Sequence, residues 1–418
     1  MAGLLPCATL CAWGQQFQPK TIQFSGDPEY SQAEMLAAAG LKVGQVLTYA
    51  QMNDISKQLL ATGMFASLSF KFDGQDLVFQ LTPSDQLYPV RLTNLPLTPG
   101  TELEATLHEA MPLYHGKVPD QGGLADAMTS ELEKLLAAQG MNVTVVATPS
   151  ASLATGKVGG MSYSITTPAV WPTVTKLDGV SAALESGVQQ VVQEAGRDAY
   201  DTNSTAKNLE QAVTLFYRDR GYAAVKVNVM RAGAAVVAID GIRIPFSVTV
   251  EEGRSYKLGT VDVPAGSPMT QADADKLMTG GSVHLLPGVA LRGLLGSVTE
   301  GYETKGYLNC KVALVPHFDE TADRVNYTMT AETGPVYHLA YVKFANVGDN
   351  LRKVLMRNWQ LMPGDAFNEP YAANFLIQLT AQNPQLGRAL VGWAEKMTTT
   401  TDPQTHDVNV VIELVRRP

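Results

Sequence analysis

A chain of 418 residues exceeds one ordinary domain, and its length predicts roughly three to five units. With 45% hydrophobic residues, 17% charged residues and a mean hydropathy of −0.02, it can bury cores, which excludes a disordered polymer. The net charge of −9 repels a phosphate backbone and argues against nucleic acid as a partner, and no run of about 18 apolar residues offers a transmembrane helix.

The first segment, residues 1–16, reads as an export signal. Leu4, Leu5, Leu10 and Trp13 make it apolar, and Ala12 and Gly14 suit the small positions before a cleavage site at Gln15. The basic start of such a signal is missing, since the first basic residue is Lys20. Cys7 and Cys11 fall inside the segment and leave Cys310 as a lone thiol, which cannot make an internal disulfide. Cys310 opens the alternating run Cys310-Lys311-Val312-Ala313-Leu314 and is expected to be a small buried hydrophobe.

Five units follow, with expected bounds 17–86, 87–169, 170–253, 254–335 and 336–418. In the first, residues 22–24 open as a strand, a helix starts near Thr48, and strands at 69–72 and 77–81 close the unit. The second is the weakest match, because Pro112 and Gly122-Gly123 interrupt its helical region. The third is the clearest. Residues 173–177 form a strand, and 183–195 a helix with Leu184, Val188, Val191 and Val192 on one face. Residues 201–204 supply capping side chains for a second helix carrying Leu209, Ala212, Val213, Phe216 and Tyr217. The stretch 223–229 alternates with period two, and 244–250 is the last strand. In the fourth, 258–263 opens, 289–305 is the second helix and 324–331 closes; in the fifth, 339–344 opens and 408–415 closes. The order is β-α-α-β-β.

Two landmarks repeat through these units. Helices end in a glycine followed by a large apolar residue at Gly63-Met64, Gly140-Met141, Gly221-Tyr222 and Gly306-Tyr307, with spacings of 77, 81 and 85. At the borders, Gly253 matches Gly334, Tyr256 matches Tyr337 and Leu258 matches Leu339, each at an offset of 81. Tyr88 and Trp171-Pro172 stand at the corresponding earlier borders. The fifth unit departs, because Asn383-Pro384-Gln385 occupies the place of the glycine turn.

The element order, the motifs Tyr217-Arg218-Asp219-Arg220-Gly221-Tyr222 and Tyr302-Glu303-Thr304-Lys305-Gly306-Tyr307, and the border Glu252-Gly253-Arg254-Ser255-Tyr256 together resemble the POTRA (polypeptide-transport-associated) domain. The resemblance runs from about Lys20 to the end. It implies an α+β tandem array of about five βααββ domains, each with two helices on a three-stranded mixed sheet. It also implies a periplasmic place beside the outer membrane, partners that are extended or unfolded polypeptides and outer-membrane assembly proteins, and membrane association only through those partners. After the fifth unit this sequence has no room for the family's β-barrel strands, so it is expected to be either a free-standing array or a piece of a longer chain, and barrel activity is not carried over.

Strand addition is the implied mode of binding. The candidate edges are Ser69, Phe70, Lys71 and Phe72; residues 142–147; Val225, Lys226 and Val227; and Lys311, Val312 and Ala313. The three lysines would guard these edges against self-association. Gly253, Tyr256, Gly334 and Tyr337 are the expected interdomain junction. No cofactor is expected, since no phosphate-binding glycine loop is present. No metal site is expected either: of six histidines only His108 and His115 are neighbours, and they lack a third donor. No nucleophile elbow occurs, so an enzyme is not expected. Two alternatives remain open at this point: a structural adaptor bridging folded partners, and an enzyme whose site assembles from distant residues.

Overall fold

The structure is a computed structural model and describes residues 16–151, 157–279 and 287–416. The expected export segment up to Gln15 and the Gly280-Gly281 pair lie outside them. The chain divides into two compact units, Met1–Val213 with Val227–Val250, and Thr214–Lys226 with Glu251–Pro418. Along it the order strand, helix, helix, strand, strand occurs five times.

The first repeat runs β1 (Gln16–Phe17), β2 (Thr21–Ser25), α1 (Gln32–Ala38), β3 (Leu47–Thr48), α2 (Tyr49–Ala61), β4 (Phe65–Phe72) and β5 (Asp76–Pro83). The second is β6 (Leu87–Leu92), α3 (Thr101–Ala110), β7 (Lys117–Pro119), α4 (Gly123–Ala138), β8 (Val145–Ala151) and β9 (Val158–Ile165). The third is β10 (Val170–Asp178), α5 (Glu185–Ala195), α6 (Thr205–Asp219), β11 (Lys226–Arg231), β12 (Val236–Ala238) and β13 (Gly241–Glu251). The fourth is β14 (Lys257–Asp262), α7 (Gln271–Thr279), α8 (Pro287–Glu303), β15 (Lys311–Asp319) and β16 (Arg324–Glu332). The fifth is β17 (His338–Ala345), α9 (Asp349–Asn358), α10 (Glu369–Gln382), α11 (Pro384–Ala389), β18 (Trp393–Thr401) and β19 (Asp407–Arg416).

In every repeat the last strand takes the centre. The orders are β2-β5-β4, β6-β9-β8, β10-β13-β11, β14-β16-β15 and β17-β19-β18. Where registers are defined, the first strand pairs parallel to the centre and the hairpin strand antiparallel to it. Alternate residues of the central strands therefore form the cores: Leu77, Phe79 and Leu81; Ile242, Ile244, Phe246, Val248 and Val250; Val408, Val410, Ile412 and Leu414. Phe24 stacks on Phe79 at 4.9 Å across the first sheet.

Helix starts follow local chemistry. Ser31 with Glu34, and Thr48 with Gln51, each make a reciprocal capping box. Asp201 accepts from the backbone N–H of Asn203 and Ser204 ahead of α6. The helix-ending glycines Gly63, Gly140, Gly221 and Gly306 have φ of 81°, 81°, 91° and 87°, the left-handed region that disfavours any side chain.

Several expectations need correction. The second sheet has a fourth strand, because Pro112 and the Gly122 turn (φ 125°) bracket a chain that pairs as β7 with β6. The third sheet also gains a strand, β12, against β13. The fifth repeat does contain the glycine turn. Asn383 ends α10 and caps the extra helix α11, so the turn moves to Gly392 (φ 83°) ahead of Trp393, which lies 86 residues after Gly306. Cys310 is half-buried beside the fourth core, and burial pushes its thiol up.

One buried acid sits in the fifth core. In the register of β18 with β19, Glu395 pairs with Leu414, a core residue, and so points to the helix-covered face between Trp393 and Met397. Its Oε1 is buried without a hydrogen-bond partner among the described residues, and burial raises the carboxyl to about 7. A carboxyl raised in the folded state favours folding while it stays protonated, and that advantage is lost as pH rises from about 4.5 through 7. Glu395→Gln should remove this pH dependence. Thermal unfolding at pH 8 should show the variant gaining ~1–3 kcal/mol relative to its difference from wild type at pH 4.5.

Candidate functional site

Because the last strand of a repeat occupies the centre, the strand before it is left at the border. β4, β8, β11, β15 and β18 each pair on one side only among the described residues. Their outward N–H and C=O groups are the ones an extended chain could satisfy.

The predicted residues fall on these borders unequally. Ser69, Phe70, Lys71 and Phe72 lie in β4. Ser69 and Lys71 are exposed, whereas Phe70 packs on Tyr49 at 5.4 Å and Phe72 on Phe17 at 5.0 Å. Lys226 and Val227 begin β11, and Lys226 Nζ donates to Glu251 at 2.8 Å. Val225 stands before that strand. It is buried, and its N–H donates to the Tyr222 carbonyl, so it offers nothing to a visiting chain. Lys311, Val312 and Ala313 begin β15, with Lys311 and Ala313 exposed and Val312 turned to the core. Of the stretch 142–147 only the part from Val145 is strand, and the Val145 N–H donates to Glu133. β18 was not predicted as an edge; its exposed run Thr398 to Thr401 extends that border.

Sequence reasoning missed a groove on the opposite border. The order β10-β13-β11 leaves β10 outermost, and beside it lies a groove of about 1060 Å³. β10 forms one wall from Trp171 to Leu177, and α5 forms the other with Glu185, Gln189 and Gln193. These three recur every four residues and so share one helix face. At the start of β10 the outer side is already used, since the Tyr200 N–H donates to the Val170 carbonyl at 2.9 Å. Further along, a bulge between Val174 and Lys176 shifts the register. Arg243 with Asp240 lines the groove as well. The legible signal was the Glu-Gln-Gln spacing beside the apolar stripe Val188 and Val192.

The junction residues assemble one device twice. The Tyr256 N–H donates to the Gly221 carbonyl at 2.8 Å, and the Tyr337 N–H to the Gly306 carbonyl, also at 2.8 Å. A Cβ on Gly221 would lie 2.5 Å from the Tyr256 carbonyl oxygen, and one on Gly306 2.8 Å from that of Tyr337. Gly253 (φ 68°) and Gly334 (φ 67°) turn the chain ahead of each tyrosine. Both tyrosines are buried, and their hydroxyls are engaged: Tyr256 donates to Glu320 at 2.7 Å, and Tyr337 accepts from Asn309 at 3.0 Å. Tyr217 donates to Glu252 at 2.7 Å, and its ring meets Tyr222 edge-on at 5.5 Å, as Tyr302 meets Tyr307 at 5.9 Å. Burial, followed by the Glu252 contact, drives the Tyr217 hydroxyl far above its ordinary pKa. Arg292 of α8 also clamps Asp219 at the end of α6 through both guanidinium nitrogens. Tyr88 and Trp171 are placed differently. They lie inside β6 and β10, and each is half-buried.

The expected lack of a third donor beside the histidines is corrected, while the expectation about a metal stays open. His108 and His115 do have a third donor nearby, Glu34 of α1, whose carboxylate meets both rings.

No family model matches the chain. It is similar to the solved structure of Haemophilus influenzae BamA POTRA3-5, at 15% identity over 60% of this chain and 95% of that one, with a TM-score of 0.39. It is also similar to the N-terminal domain of Omp85 from Thermosynechococcus elongatus, at 20% identity over 59% of this chain and 96% of that one, TM-score 0.20. POTRA1-3 of Omp85 from Anabaena matches at 18% identity over 59% of this chain and 95% of that one, TM-score 0.20. By the order of its elements the repeat is of the POTRA type.

The joint predicts a graded response to alanine. Gly140 has the same left-handed backbone but open space around it, so Gly140→Ala should cost only the strain, about 1–2 kcal/mol. Gly306→Ala adds a clash with the Tyr337 carbonyl and should cost about 3 kcal/mol or more. Hydrogen exchange on the full chain should show protection falling around α8 and β17 for Gly306→Ala. Equal losses in the two variants would show that the close approach is not limiting.

Proposed function

We propose that the chain is a non-catalytic periplasmic scaffold of the outer-membrane assembly type, which holds extended segments of other polypeptides by strand addition. The observation that carries this reading is the groove beside β10. An outermost strand there faces a helix wall whose polar side chains, Glu185, Gln189 and Gln193, stand in a row. A segment laid along β10 would gain main-chain hydrogen bonds whatever its sequence, while alternate side chains enter the groove. Each such bond contributes about 1 kcal/mol net, and with the Val170 carbonyl engaged and Pro172 lacking an N–H only a few groups remain, so capture would be weak and reversible. That suits holding a client in passage. The exposed edges at Lys71, Lys226 and Lys311 are secondary sites in this scheme. No helix among the described residues is long and apolar enough to cross a membrane, and membrane association is proposed to run through partners.

A second reading, an adaptor that bridges folded partners, draws support from the matched joints at Tyr256 and Tyr337, which would hold neighbouring repeats as a fixed spacer. Photo-crosslinking separates the two. A photoreactive residue is placed at Gln189, at Lys71, Lys226 or Lys311, or at the exposed Glu210 of α6 as a control, and a urea-denatured outer-membrane protein is diluted into each. The proposal expects adducts at Gln189 several-fold above Glu210, together with slowed client aggregation. Equal labelling at Gln189 and Glu210 with no effect on aggregation would overturn it, and recovery of a folded partner under those conditions would favour the adaptor.

A further inference from the structure

Three side chains brought together within the first unit of the chain have the composition of a metal centre. Glu34 comes from the first turn of α1, His108 from the last turn of α3, and His115 from the loop after α3. His108 Nε2 lies 3.2 Å and His115 Nε2 3.1 Å from the same oxygen, Glu34 Oε1, and the three ligating atoms all lie within 4.8 Å of one another. A tetrahedral ion with bonds of about 2.0–2.1 Å sets its ligand atoms about 3.3 Å apart. The two nitrogen–oxygen separations are already close to that edge length.

Each ligand is also held from behind. Glu34 Oε2 accepts from the Ser31 N–H at 2.6 Å as part of the capping box, which leaves Oε1 for the histidines. His108 Nδ1 lies 3.0 Å from the Tyr114 carbonyl oxygen, the outer contact that typically fixes a metal-binding imidazole with Nε2 forward. The His115 ring packs edge-on against Tyr30 at 5.0 Å and against His108 at 5.1 Å, and Tyr30 is itself anchored through its hydroxyl to the Leu113 carbonyl. His108 thus has an oxygen acceptor at both nitrogens.

We propose that Glu34, His108 and His115 bind a divalent transition-metal ion of the zinc class and thereby clip the first repeat to the second. Two imidazoles and one carboxylate form a borderline donor set that suits Zn²⁺ and excludes the hard all-oxygen preference of Ca²⁺ and Mg²⁺. The fourth position faces an open groove lined by Thr101, Glu104 and Ala105, where water completes the shell. The inference is independent of the polypeptide-binding reading, since it concerns only how two repeats are joined.

The test uses the full chain without a histidine tag. Calorimetric titration with Zn²⁺ should show one site with a Kd of about 10 µM or tighter, and Co²⁺ should develop visible bands of tetrahedral type that Zn²⁺ abolishes. Glu34→Gln is the cleanest variant, because glutamine also completes the capping box and α1 should keep its start. It should weaken zinc binding at least about tenfold, and His115→Ala and His108→Ala should do the same. Zinc should slow hydrogen exchange in α1 and residues 108–116 of the wild-type chain and leave Glu34→Gln unchanged. No saturable site tighter than about 100 µM would overturn the proposal and leave the cluster as a histidine–carboxylate contact without a metal. Equal affinity in wild type and Glu34→Gln would overturn it as well.

Discussion

The fourth and fifth repeats each depend on one contact, the hydrogen bond from a tyrosine N–H to the carbonyl of the glycine that ends the second helix of the repeat before. At Gly221 and Gly306 the backbone must be left-handed and must also touch the incoming chain, leaving no room for a Cβ. Strain and close approach act at the same atom, so only glycine meets both. The following repeat therefore starts from a fixed point. Tyr256 and Tyr337 immediately precede β14 and β17, and the direction of each first strand is set where the preceding helix stops.

That fixed start decides which strands stay open. A parallel pairing of first and last strands needs a crossover, which the two helices supply, and it puts the last strand in the centre. The hairpin strand then has nowhere to go except the border. Except in the second repeat, where β7 covers β6, the same topology leaves the first strand at the other border, where the helices of the crossover can wall it. In the third repeat that wall stands off from β10 and leaves a groove. One rule of connection thus produces both kinds of edge, the bare hairpin border and the walled border.

How much of this was legible in the sequence depended on how local each requirement is. A helix-ending glycine is a local demand on φ, so Gly63, Gly140, Gly221 and Gly306 were readable one by one, and their spacing gave the repeat. Alternation along the central strands was local as well. Gly392 was hidden because Asn383 restarts a helix and carries the turn several residues onward. The Glu185, Gln189 and Gln193 spacing marked a polar helix face, but the groove itself could not be placed without knowing that β10 is outermost and that α5 stands away from it. Glu34 was invisible as a neighbour of His115 for the same reason: 81 residues of chain separate them, and only the packing of the first repeat on the second brings them together. Val225 shows the reverse error. Its place in an alternating run was read correctly, but a turn contact to Tyr222 removes it from the strand.

If the array holds other chains as proposed, it has to do so without pairing with copies of itself, and the two kinds of edge would meet that demand differently. Lys71, Lys226 and Lys311 place charge on the hairpin borders, where another copy's border would bring the same charge face to face. Lys226 is partly neutralised by Glu251, which makes β11 the least guarded of the three. In the fifth repeat the guard points inward instead, since Glu395 sits beneath the border strand and resists the flat, dry pairing that sheet-to-sheet association requires. β10 needs no such charge. On the proposed reading the α5 wall would act there as a steric filter, admitting a single extended segment and excluding the border of an intact sheet with its own helices attached.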